Sequence, residues 1–113
     1  MHGQGVSQNI AEAVRLFRLA AEQGNAVALH NLGFCYHNGF GVSQNNAEAA
    51  KWYRLAAEKG YIDAQFNLGR CYLEGTGVNR DLSEALKWFR LAAEKGDAEA
   101  ADYVRRLQQA GVR

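Results

Sequence analysis

The chain has 113 residues, 48% apolar and 22% charged, a composition that suits one globular domain with a sizeable core. Its formal net charge is +1 with both signs spread along the sequence, which argues against nucleic acid or an anionic lipid surface as partner. Apolar stretches such as Leu19-Ala20-Ala21 fall far short of the roughly 20 residues that cross a bilayer, so no membrane insertion is expected. Residues 1–5 carry neither the basic region nor the apolar run of a secretory signal. A complete chain of this kind is expected in the cytoplasm, and an exported one would have its signal upstream.

Twelve glycines stand beside no proline at all, and their spacing is regular. Gly3, Gly39 and Gly75 lie 36 apart, as do Gly5, Gly41 and Gly77, and Gly24, Gly60 and Gly96. The same offset aligns Glu12 with Glu48 and Glu84, and Arg18 with Arg54 and Arg90. A unit of this length cannot bury its apolar face alone, and stacking on its neighbours makes a continuous core.

In chain order, the sequence opens in a glycine turn and enters a helix at Asn9, with Glu12 three residues on as the second half of a capping box. This helix, type B, is expected to end at the left-handed cap Gly24, leaving a half repeat over 1–24. A type A helix follows over about 26–37, with Ala28, Leu32 and Tyr36 on one stripe. Gly33 inside it costs about 1 kcal/mol relative to alanine, which predicts close approach by a B helix. The turn from Asn38 to Gln44 has two glycines suited to positive φ and Val42 to pin it. The second B helix starts at Asn45 with Glu48, carries Ala49, Trp52, Tyr53 and Ala56 on its apolar stripe, and ends at Gly60, with Lys59 on the negative end of its dipole. Repeats are therefore drawn at 25–60 and 61–96. The second of these has helix A over 62–73, Gly69 inside it, a turn from Glu74 to Arg80, and helix B from Asp81 to Gly96 with Lys95 before the cap. A last helix spans 97–110, where Arg105 replaces the helix glycine and Gln108 the tyrosine; it reads as a solvating cap. Nothing comparable precedes Ile10, Val14 and Phe17, so either the chain extends upstream or that end pairs with another copy.

The pattern A-x-x-x-L-G-x-x-Y-x-x-G-x-G-V-x-x-[ND]-x-x-E-A, followed by W-[YF]-R-L-A-A-E-K-G, runs over residues 28–60 and again over 64–96. It resembles the Sel1-like repeat family, whose units are longer than the 34 residues of the related tetratricopeptide repeat. The resemblance implies an all-α, right-handed superhelical solenoid of about three 36-residue repeats, and a protein that acts as an adaptor in multiprotein assemblies.

Chemistry-bearing residues mostly have a structural explanation. Cys35 and Cys71 sit one repeat apart, too far for a disulfide, and are expected to be free buried thiols. His30 and His37 are about two helical turns apart, so one metal ion would not easily take both. Trp52 and Trp88 fall in the B-helix stripe as core residues. No nucleophile–base set or phosphate loop is present, so no enzyme activity and no cofactor are expected.

If helix A lines the concave face, as in similar helical-repeat folds, the positions not spent on packing should meet a protein or an extended peptide. These are Val27, His30, Asn31, Phe34, His37 and Asn38 in the first A helix; Asp63, Phe66, Asn67, Arg70, Leu73 and Glu74 in the second; and Glu99, Asp102, Tyr103 and Arg106 in the third. They differ between repeats while packing positions do not, a pattern that both specificity and unselected drift produce. Asn31 and Asn67 would grip peptide groups, or else bond helix A to helix A or to a loop. Arg70 with Arg106 suits a carboxylate, and Phe34 and Phe66 offer apolar anchors. The alternative is a self-associating structural module that joins through the Ile10, Val14 and Phe17 end with no separate ligand. A hydrolase, suggested for some members of the family, comes third, with no residue set to carry it.

Overall fold

The computed structural model describes the backbone of residues 2–113 and the side chains of residues 9–113. Six helices follow one another: α1 (His2–Glu22), α2 (Ala26–Asn38), α3 (Asn46–Glu58), α4 (Ile62–Glu74), α5 (Leu82–Glu94) and α6 (Ala98–Gln109). There is no strand among the described residues. Each helix packs on its neighbours in the chain, and the zigzag builds an all-α solenoid of 53 × 23 × 21 Å.

Glycine sets where each A helix meets its B helix. A Cβ built on Gly33 would lie 2.6 Å from the Tyr53 ring, and one on Gly69 would lie 2.9 Å from the Phe89 ring. The rings therefore rest on bare backbone, and their burial offsets the helix propensity that glycine loses. Leu32, Leu68, Leu86 and Phe89 are fully buried around these contacts. Trp88 is buried and Trp52 half-buried on the same core, with Lys51 and Lys87 each 4.9 Å from the adjoining indole centroid. Cys35 and Cys71 are free and buried.

The turns are ordered by hydrogen bonds to the A helix they leave. Gly39 and Gly75 take φ of 73° and 71° and close their helices on the Cys35 and Cys71 carbonyls. Asn45 N–H then donates to Tyr36 O at 2.8 Å, and Asp81 N–H to Tyr72 O at 2.9 Å. Asn45 and Asp81 cap α3 and α5 through their side chains, which accept from the Glu48 and Glu84 N–H groups. Because the caps' own N–H groups are already spent on the tyrosine carbonyls, the expected capping boxes form only in this one direction.

The first helix departs from expectation. Rather than starting at Asn9, α1 runs from His2 through Gly3, Gly5 and Asn9 to Glu22. Glycine takes helical backbone as well as positive φ, so the spacing of Gly3 and Gly5 is compatible with a continuous helix whose polar groups bond within it. Glu12 accordingly pairs with Arg15, whose Nε donates to it at 3.1 Å.

Long-range side-chain hydrogen bonds link the repeats. Arg18 donates to the Tyr36 hydroxyl at 2.9 Å, and Arg54 donates to that of Tyr72. Lys95 reaches back one repeat and donates to Gly60 O at 2.7 Å, so it serves the end of α3 instead of the end of its own helix.

Gly69→Ala should lose stability despite its better helix propensity, because overpacking costs about 1–3 kcal/mol and the gain is about 1 kcal/mol. Urea unfolding measures this, and adding Phe89→Leu, which makes room for the methyl, should recover part of the loss.

Candidate functional site

A cleft of about 240 Å3 lies between the two central A helices. Phe34, His37 and Asn38 line it from α2; Asn67, Arg70, Cys71 and Glu74 from α4; Tyr53 and Thr76 complete it. The rim is exposed: Phe34, His37, Arg70 and Glu74 all face solvent, and the Phe34 ring stands 5.7 Å from that of Phe40. Arg70 pairs with Glu74 at 3.5 Å, a contact between half-exposed groups that water screens and a ligand can exchange. Asn38 is turned back on its own helix, donating to Phe34 O at 3.0 Å.

The inner wall is chemically quiet. Burial pushes the Cys71 thiol up to about 11, raises Cys35 as well, and raises the Tyr53 phenol further still. Cys71 is therefore a neutral thiol at neutral pH and a weak nucleophile. Among the described residues, no group of three or more His, Cys, Asp or Glu side chains could hold a metal ion.

The expected contact residues separate into three places. Six of them, Phe34, His37, Asn38, Asn67, Arg70 and Glu74, meet in the cleft. Asp102, Tyr103 and Arg106 line a hollow of about 350 Å3 on α6, with Ala98 and Glu99. Arg106 is held there by Asp102 at 3.0 Å, while Arg70 is held by Glu74, so the two arginines are not found together on one anion site. Asn31 faces a third, apolar hollow beside α1, which Phe34 and Phe40 also line. Phe66 is half-buried between Phe89, at 5.6 Å, and Tyr103, at 5.9 Å; it is a packing residue where an anchor was expected. Leu73 is likewise half-buried against the core, and Asp63 and Val27 are exposed apart from the cleft.

His30 and Asn67 form a bond between A helices, Asn67 Nδ2 standing 3.0 Å from His30 Nε2. Tyr53 and Tyr61 pack on the imidazole at centroid distances of 5.4 and 5.2 Å. Desolvation lowers the His30 pKa below 6.5, against the smaller opposing effects of Asp63 and Asn31. The neutral ring can then accept one N–H of the Asn67 amide, which keeps its second N–H and Oδ1. One step along the solenoid the same seam is filled by Phe66 against Tyr103.

Sequence reasoning missed Tyr53, Cys71, Thr76 and the neighbouring Phe40 as parts of this region. The first two were assigned wholly to the core, although an inner wall and a core residue carry the same apolar signal. Phe40 and Thr76 occupy the one variable position between the paired turn glycines, and that variation in an otherwise repeated turn was the available sign.

The Sel1 repeat family model matches residues 1–25, 26–61 and 62–97. Among solved structures, c5321, a protective antigen of uropathogenic Escherichia coli with an SLR fold, superposes with a TM-score of 0.87 at 40% identity, covering 90% of this chain and 22% of that one. A Sel1 repeat protein from Oxalobacter formigenes gives 0.67 at 46% identity, covering 69% of this chain and 31% of that one. Cysteine rich protein B of Helicobacter pylori gives 0.76 at 27% identity, covering 79% and 67%. The chain thus spans under a third of the length of the first two. No curated protein matches it in sequence.

Because folding lowers the His30 pKa, the unfolded chain binds more protons just below pH 6.5. The stability from the neutral imidazole is fully present above the unfolded pKa and falls away as pH drops toward the folded one. Thermal melts from pH 8 to pH 5 should show this loss in the wild type, and His30→Gln should flatten it; an unchanged slope would count against the assignment.

Proposed function

The chain belongs to the Sel1 repeat family, and from that premise we propose that it is an adaptor module that binds an extended segment of another protein in the cleft between α2 and α4. Sel1 repeat proteins are generally scaffolds for protein interaction, and its structural neighbours are typically not enzymes. The observation that carries the finer reading is the cleft itself: side chains that vary between repeats converge there from two helices and remain exposed.

The chemistry of the rim describes the ligand. Phe34 and Phe40 make an apolar edge that suits one hydrophobic side chain, about the size of leucine or phenylalanine. Arg70 can leave Glu74 for a carboxylate on the ligand, and Glu74 is then free to accept from a basic side chain or a peptide N–H. A segment that pairs an apolar residue with an acidic one fits both features. Among the described residues no helix is long and apolar enough to cross a membrane.

Selection of displayed random peptides on the wild-type protein tests this. Recovered peptides should share an apolar and an acidic position, and Phe34→Ala and Arg70→Ala should each weaken them about tenfold, a common cost for truncating a central contact. Both side chains are exposed, so melting temperatures should hardly move. Peptides that bind both variants as well as the wild type would place the site elsewhere.

A further inference from the structure

The register of Phe34 on α2 recurs at Arg70 on α4 and at Arg106 on α6, and all three side chains are exposed. Arg70 is exposed although A helices touch α4 on both sides, so this register faces outward wherever the chain begins or ends. Each arginine is held by an ion pair on its own helix, Arg70 by Glu74 at 3.5 Å and Arg106 by Asp102 at 3.0 Å. Pairs between groups this exposed contribute little, so both cations can turn to a ligand. Asp102 keeps Arg105 when Arg106 leaves it. Two helical turns earlier the matching positions are Val27, Asp63 and Glu99, also exposed. A row reading apolar, cation, cation thus runs beside one reading apolar, anion, anion. An acidic ligand is drawn to the first row and repelled by the second.

The contacts between A helices set the step along that row. His30 meets Asn67 at 3.0 Å, and the rings of Phe66 and Tyr103 stand 5.9 Å apart. Helices in such direct contact lie about 8–10 Å from axis to axis. A β-strand returns a side chain to the same face every second residue, about 6.6 Å, which falls short, and every fourth, about 13 Å, which overshoots. Polyproline II backbone returns one every third residue, about 9.3 Å, which matches.

We propose that the ligand is a polyproline II segment lying across α2, α4 and α6. An apolar residue meets Phe34, and acidic residues three and six places along meet Arg70 and Arg106. This rests on the cleft between α2 and α4 being the binding site, and it extends that site to a third helix. A polyproline II chain has no internal hydrogen bonds. Its backbone is therefore open to Asn67, which lines the cleft and retains one N–H and Oδ1.

Selection from a displayed library with one fixed leucine reads the spacing directly. On the wild type, Asp and Glu should be enriched at the third and sixth places on one side of the leucine, with proline favoured between them. On Arg106→Glu the sixth place alone should turn to Lys or Arg, and on Arg70→Glu the third. All the altered side chains are exposed, so melting temperatures should hardly move. A recovered peptide made synthetically should bind Arg106→Ala about three- to fivefold more weakly than the wild type, the scale of an exposed ion pair. The same peptide with Gln at its sixth place should not distinguish the two proteins. Acids recovered at the second and fourth places, or a sixth-place acid that persists on Arg106→Glu, would overturn the proposal. If Phe34→Ala and Arg70→Ala still weaken those peptides, the cleft remains the binding site. If neither does, or if no peptide is recovered, the cleft is not the site and the proposal fails with it.

Discussion

The contact on which the rest of this structure depends is an aromatic ring laid on bare helical backbone. Tyr53 over Gly33 and Phe89 over Gly69 bring successive helices closer than any side chain at those glycines would permit. A B helix pressed this tightly on its A helix buries alanines at 49, 56, 85 and 92 that would otherwise face a gap, and so a sequence rich in small residues still closes a core. Burial of each ring supplies on the order of 1.5–3 kcal/mol, more than the roughly 1 kcal/mol that glycine costs within a helix. The exchange is favourable only where the ring is present, which is why glycine and aromatic recur together in both complete repeats.

The turns obey a second constraint, imposed by the backbone. Their polar groups are satisfied by carbonyls at the end of the preceding A helix, notably Tyr36 O and Tyr72 O. A turn of this family is thus a property of the helix before it as much as of its own glycines. The same glycine spacing at Gly3 and Gly5 lies within the helix α1. Glycine spacing was a correct guide to the turn in two repeats and a false one in the first, because glycine permits a left-handed turn without requiring it.

That contrast explains which features were legible in the sequence. Helix type, the glycine contacts, the left-handed caps and the free cysteines follow from a period of 36 residues, since three aligned copies expose what the unit requires. The site was harder to read. Phe34 and Phe66 were both taken as apolar anchors, yet they stand at different registers: Phe34 aligns with Arg70 and is 46% exposed, while Phe66 aligns with His30 on the seam and is held between Phe89 and Tyr103. Asn31 and Asn67 do share a register, yet Asn67 meets His30 across the seam while Asn31 faces an open hollow, a difference that register alone does not express.

The seams between A helices therefore carry information that the repeated positions do not. One seam is polar, His30 against Asn67, and the next is aromatic, Phe66 against Tyr103. If the two were exchanged, an imidazole would face a phenol ring and an amide would face a phenylalanine, leaving at least one buried polar group without its partner. The two seams thus differ in residues that the glycine contacts leave free to vary.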